Sequence, residues 1–196
     1  MNSATIAVDC DDVLGETRDA MLAYHNYTFM GKPIRREYIR SFTFWELEAY
    51  KADIKDGVEY FREFFCSDAN HTVQPIQWAF EKLTALREQG YRLVVVTGRS
   101  EKITKEYTTE RIEKHYPSLF SDVVFANHYG DFHMKKSVLC ERIGATTIIE
   151  DCLENALDTA QVGIKSIVLA KPRNEHYDPV LHHNVQRVAW RHELNF

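Results

Sequence analysis

Asp9-Cys10-Asp11-Asp12-Val13-Leu14 follows directly on Ala4-Thr5-Ile6-Ala7-Val8, an apolar and partly β-branched run. That run reads as a buried parallel strand. Side chains alternate along extended backbone, so Asp9 and Asp11 point one way and Cys10 the other. Two carboxylates therefore converge at the carboxyl end of a strand, the crevice where open α/β sheets bind ligands. At roughly 4 Å two such charges repel by about 4 kcal/mol at an effective dielectric of about 20. A proton or a cation must offset that repulsion. Taken alone, the stretch reads equally well as an Asp-rich loop capping the next helix.

The chain beyond it decides between the two. Residues 15–74 contain no convincing strand. Gly15 to Met30 and Phe44 to Phe65 carry apolar residues at helical spacing, and Gly31-Lys32-Pro33 breaks the first of these helices. From Pro75 onward, helices alternate with apolar runs. Those runs are Arg92 to Val96, Asp122 to Ala126, Thr146 to Ile149 and Lys165 to Ala170. With the first run they make five strands on short helical connections. The expected fold is α/β, a doubly wound, Rossmann-like parallel five-stranded sheet. A small helical cap is inserted after the first strand, so the division is a core of residues 1–14 and 75–196 and a cap of 15–74. The tail from Pro172 is polar and His-rich, and no element is read there.

Chemistry-bearing residues close three of these strands: Asp9 and Asp11, Thr97-Gly98, and Glu150-Asp151. Lys136 begins the helix that leads into the fourth. In a parallel sheet all of these ends face one crevice. Several carboxylates cannot share a small crevice without a cation, and oxygen donors without a Cys/His framework select Mg²⁺ over zinc. The nine histidines show no ligand spacing, and the four cysteines no C-x-x-C pair.

Composition narrows the classes further. The chain has 196 residues, 44% hydrophobic and 27% charged, enough apolar mass for a real core. A net charge of −5 offers no basic field for a nucleic acid polymer or an anionic membrane. No run approaches the roughly 18 apolar residues of a membrane span. The start of the chain lacks a signal peptide's basic and long apolar regions, so a cytoplasmic protein with free thiols is expected.

Together these motifs resemble those of the haloacid dehalogenase (HAD) superfamily of phosphatases. Asp9-x-Asp11-x-Val13-Leu14 matches the first motif, Thr97 the second, Lys136 the third and Glu150-Asp151 the fourth. The resemblance implies a Mg²⁺-dependent phosphatase working through an aspartyl-phosphate on Asp9. Asp11 is then the general acid and base, while Thr97, Gly98 and Lys136 hold the phosphoryl oxygens. Asp9, the Asp11 carbonyl, Asp151 and Glu150 hold or adjoin the ion. Thr-Gly-Arg departs from the commoner second motif, so Arg99 either reaches substrate or only starts the next helix. Lys135 is the alternative third-motif lysine, though spacing favours Lys136.

Within the superfamily the layout resembles the 5′(3′)-deoxyribonucleotidases and related 5′-nucleotidases. That likeness implies a nucleoside monophosphate substrate, with Phe44 and Trp45 of the cap stacking on its base. A sugar-phosphate phosphatase or phosphomutase of the same superfamily is the alternative reading, and a phospho-receiver domain a weaker one. A homodimer is left open.

Overall fold

The computed structural model describes residues 4–28, 34–39, 54–128, 130 and 132–189. At its centre β1 (Thr5–Val8) is flanked by β2 (Arg92–Thr97) and β4 (Ala145–Glu150). Outside these lie β3 (Asp122–Phe125) next to β2, then β5 (Lys165–Leu169) and β6 (Val185–Val188) beyond β4. Every pairing is parallel. The chain runs outward from β1 in both directions, so loops at its carboxyl end diverge and open a crevice.

The sheet has six strands rather than the five expected. β6 escaped notice because Val185 and Val188 are buried on opposite faces, Val185 against α6 (Leu153–Gln161) and Val188 in the cluster across the sheet. Neither face shows the alternation that marks a strand. Being an edge strand paired only to β5, it needs no longer apolar run.

Alternation along β1 and β2 feeds two cores. Ile6, Val8, Leu93 and Val95 pack under α3 (Gln77–Glu88) and α4 (Glu101–His115), through Leu83, Leu86 and Ile112. Ala7, Val94 and Val96 face the other way and pack with Leu139 and Cys140 of α5 (Lys136–Arg142). All four residues of β1 are buried, as a strand covered on both faces requires.

A third cluster stands apart from the sheet. Met21 and Leu22 of α1 (Thr17–Thr28) meet Tyr60 and Phe64 of α2 (Ile54–Cys66), with Ile34, Ile39 and Val73. The two crossings between this unit and the sheet lie side by side. Glu16 N donates to Gln74 O at 2.8 Å and Ile76 N to Leu14 O at 2.9 Å. Among the described residues no helix is long and apolar enough to cross a membrane.

Phe64 is fully buried in this separate cluster. Phe64→Ala should cost about 3–5 kcal/mol locally. Hydrogen exchange should show α1 and α2 losing protection while β1, β2 and β4 keep theirs. Equal loss across the sheet would mean that the two units unfold as one.

Candidate active site

β1 ends by delivering Asp9 to the crevice floor, its amide held by Ile149 O of β4 at 2.9 Å. Lys136, the first residue of α5, places Nζ 2.6 Å from Asp9 Oδ1 and 2.5 Å from Glu150 Oε1. Lys135 instead points outward to Asp158. The Lys136 ammonium is buried, which works against its charge. The two carboxylates outweigh that and hold it above the usual lysine range. Burial raises the Asp9 carboxyl well above the ordinary range, with Lys136 opposing and Glu150 and Asp11 adding to the rise.

Glu150 is locked. Its Oε2 accepts from the amides of Asp151 (2.7 Å) and Cys152 (2.9 Å), and its Oε1 from Lys136 and from Asn155 Nδ2 at 3.0 Å. Four donors around one buried carboxylate tie Lys136 and the turn after β4 to it. Asp151, one residue on, lines the cavity.

Asp11 is held from two sides. Arg99 Nη2 lies 2.6 Å from Oδ1 and Nε 3.0 Å from Oδ2, while the Thr17 hydroxyl donates to Oδ1 at 2.5 Å. Burial would raise this carboxyl, but the charge and hydrogen bonds of Arg99 win and hold it well below the usual carboxylate range. Arg99 also donates from Nη1 to Thr108 Oγ1 at 3.0 Å, and its guanidinium lies 4.5 Å from the ring centre of Phe65 on α2. Its side chain is 1% exposed. The third residue of the Thr-Gly-Arg motif therefore braces Asp11 against α4 and α2.

Helix α4, so charged that it reads as a solvated face, supports the site along one side. Tyr107 donates from its hydroxyl to Asn70 O, Thr108 receives Arg99, and Arg111 Nη2 donates to Cys10 Sγ at 3.0 Å. Cys10 is buried in the core beneath, as the alternation in the first motif requires.

Thr97 and Gly98 close β2. The Thr97 hydroxyl is buried and accepts the Arg99 amide at 3.3 Å, so it shapes the turn beneath the cavity. Gly98 lies on the cavity surface against His128, and a Cβ there would meet His128 Nδ1 at 2.7 Å. Burial, with the charges of Lys136 and His133, pulls the His128 imidazole down to about 4, leaving it neutral near pH 7.

Asp9, Asp11, Gly98, Lys136 and Asp151 thus meet on one cavity floor. Above them rises an apolar wall of Met21, Val58, Phe61, Phe65 and Ile103, with Phe61 and Phe65 stacked 20° from parallel. Phe44 and Trp45 lie outside the described residues. Sequence reading missed Thr17, His128, the Phe61–Phe65 wall and Arg173, which pairs with Asp12 and Asp151. The aromatic pair had a signal, two rings four residues apart on one helix. His128 and Arg173 had none, since their partners are distant in sequence, and Thr17, six residues after Asp11, carries no mark beyond lying at the start of a helix.

The floor suits a hard divalent cation. Carboxylate oxygens of Asp9, Glu150 and Asp151 lie within 4.8 Å of one another, all buried. Among the described residues, the carboxylates of Asp9, Asp11, Asp12, Glu150 and Asp151 form ion pairs with Arg18, Arg99, Lys136 and Arg173.

A family model described as 5′ nucleotidase, deoxy (pyrimidine), cytosolic type C protein matches residues 2–193. No curated protein sequence matches the chain. Among solved structures, a haloacid dehalogenase-like hydrolase from Streptococcus pneumoniae superposes with a TM-score of 0.69 at 16% identity, covering 98% of this chain and 96% of that one. A protein described as a predicted phosphatase from Clostridium acetobutylicum gives 0.68 at 14% identity over 95% and 94%. The HAD hydrolase YfnB from Bacillus subtilis, bound to magnesium, gives 0.57 at 17% over 96% and 95%. At these identities the structures share the fold.

The contact between Gly98 and His128 yields a test. Gly98→Ala should lower phosphate-ester turnover at least about tenfold, because the new methyl displaces the ring or the turn. Adding His128→Ala should restore most of the loss, measured as a double-mutant cycle. Independent, additive losses would mean that the two residues do not share one seat.

Proposed function

The chain belongs to the family described as 5′ nucleotidase, deoxy (pyrimidine), cytosolic type C protein, and on that premise we propose that it is a Mg²⁺-dependent 5′-nucleotidase acting on nucleoside monophosphates. It is a HAD-like phosphatase, an enzyme acting on small phosphorylated substrates. The observation that carries the finer reading is the stacked Phe61–Phe65 wall directly above the Asp9–Lys136 floor. An aromatic wall over a phosphate site fits a base joined to a phosphate through a sugar. A base stacked on an aromatic ring contributes about 1–3 kcal/mol. Phe44 and Trp45 join this wall in the proposal on sequence alone.

In the proposed mechanism Asp9 attacks phosphorus and forms an aspartyl-phosphate, splitting one hard displacement into two. Lys136 keeps Asp9 in place and neutralises phosphoryl oxygens beside it, and the Gly98 amide and the Thr97 turn receive the rest. Arg99 holds Asp11 ionised, so the proton it passes to the leaving oxygen has to arrive with the phosphate monoester itself; Asp11 then takes one from the attacking water. Arg99 and Thr17 crowd its Oδ1 and leave Oδ2 the freer oxygen for that exchange. Asp9 and Asp151, with the Asp11 carbonyl, would hold the ion, while Glu150 orients from beside it. When bound, Mg²⁺ supplies the positive charge that lets an ionised Asp9 and a phosphate share the floor. The YfnB relative, bound to magnesium, supports this assignment by analogy.

Residues 15–74 are the cap in this proposal. The separate cluster around Phe64 and the paired crossings at Glu16–Gln74 and Leu14–Ile76 support a unit able to move on the core. Closure would bring the wall down over the base and exclude water from the acids.

Asp9→Asn should abolish turnover with the fold intact, because an amide cannot take its place as nucleophile. Residual hydrolysis by the purified variant above the contaminant level would remove Asp9 from that role. Phe61→Ala should lower kcat/KM for nucleoside monophosphates by roughly one to two orders of magnitude, from about 1–3 kcal/mol of lost stacking. It should leave p-nitrophenyl phosphate, which lacks a base, far less affected. Equal losses on both substrates would return the two rings to the cap's own core, and the phosphatase would then act on another ester.

A further inference from the structure

A guanidinium from outside the four motifs reaches the acid cluster. Arg173 lies in the 3₁₀ turn Pro172–Asn174 that follows β5, and its side chain is 3% exposed. One terminal nitrogen, Nη2, sits 2.8 Å from Asp12 Oδ2 and in close contact with Asp151 Oδ2. Asp12 belongs to the loop after β1, and Asp151 closes β4. One buried cation therefore ties together acids from two neighbouring strands.

The turn that carries it is itself fixed to the site. Asn174 Nδ2 donates to the carbonyl of Asp151 at 2.9 Å and to that of Leu169 at 2.8 Å. Asn174 Oδ1 accepts from Lys171 N at 3.0 Å and from Arg187 Nε of β6 at 2.8 Å. Asp151 is thus gripped twice, by Asn174 on its backbone and by Arg173 on its side chain. Asp12 is 2% exposed, with one oxygen hydrogen-bonded and the other within ion-pair reach of two guanidinium groups. Its Oδ1 accepts the Arg18 amide at 3.0 Å, and its Oδ2 faces Arg173 and Arg18 Nε.

We propose that Lys171-Pro172-Arg173-Asn174 is a further element of the active site, in which Arg173 is a positioning residue for the metal-binding acids. It orients Asp151 toward the cation site shared with Asp9, and it holds Asp12 so that this third acid of the β1 loop does not compete for the ion. The inference rests on the metal-dependent reading above. An unplaced buried carboxylate would turn toward any nearby cation, and two misdirected acids would replace a productive ligand set with an unproductive one.

The sign of the effect separates positioning from charge. Deleting a cation beside two acids should, by Coulomb's law alone, tighten metal binding. Loss of orientation should weaken it. We expect Arg173→Met to weaken Mn²⁺ binding about tenfold, measured without substrate from the electron paramagnetic resonance of free Mn²⁺. The Mg²⁺ concentration for half-maximal turnover should rise in parallel, with KM for the phosphate ester little changed. Because Arg173→Met leaves buried acids with less compensation and can unfold the chain, the double variant Asp12→Asn/Arg173→Met is measured beside it. It removes the acid orphaned in the loop but not the loss at Asp151, so it too should bind Mn²⁺ about tenfold more weakly. Unchanged or tighter Mn²⁺ binding in a folded variant would overturn the positioning role. Wild-type protein that binds no Mn²⁺, or that binds it undiminished after Asp151→Ala, would overturn the metal-site reading, and this inference with it.

Discussion

Crowding of like charge at one end of a sheet is the constraint on which the rest of the structure depends. Three acids of the β1 loop and two at the end of β4 meet where these paired strands end, nearly all buried. Water cannot screen them there, so the fold has to bring cations inward. Lys136 comes from the start of α5, Arg99 from the loop after β2, Arg18 from α1 and Arg173 from the turn after β5. Each arrives on a different segment. The loops at the carboxyl edge of the sheet are consequently tied to one another through the site itself. A buried ion pair of this kind contributes little net stability, but removing one partner typically costs about 3–5 kcal/mol. The cluster therefore constrains which loop conformations are compatible with the folded sheet.

Much of this was legible in the sequence because it is written locally. An apolar strand followed at once by acids, or by Thr-Gly, needs only a window of eight or ten residues. Asp9, Asp11, Gly98 and Asp151 are read that way, and Lys136 from its place at the start of a helix; all of them reach one floor, while Thr97 lies beneath it. The alternation of strands and helices gave the doubly wound sheet by the same kind of reasoning. What was not legible depends on pairs far apart in the chain. Arg173 meets Asp12 across more than a hundred and fifty residues, and His128 meets Gly98 across thirty. Nothing in the Lys171–Asn174 stretch says that it packs under a carboxylate. β6 failed for another reason, since its two valines serve opposite faces.

The second motif shows how a short departure from a pattern takes on meaning only in three dimensions. In sequence, Arg99 is either a substrate ligand or the start of a helix. In the structure it is enclosed by Asp11, Thr108 and Phe65, so the β1 loop, α4 and the aromatic helix share one guanidinium. The aromatic wall and the acid below it are not independent modules. Phe65 of the wall and Asp11 contact the same planar group, whose fork holds both oxygens of the acid as a lysine could not.

Helix α4 is mostly charged, yet Tyr107 donates to a turn above the site, Thr108 accepts from a guanidinium beside it and Arg111 donates to a thiol below it. Successive residues of a helix are about 100° apart around its axis. The outward positions of α4 can therefore drift freely in an evolving lineage without any effect on the acids. A single-residue insertion or deletion before Tyr107 would instead rotate all three supports away together. In this segment spacing constrains the site more than composition does, and a library built on this scaffold should vary letters there but never spacing.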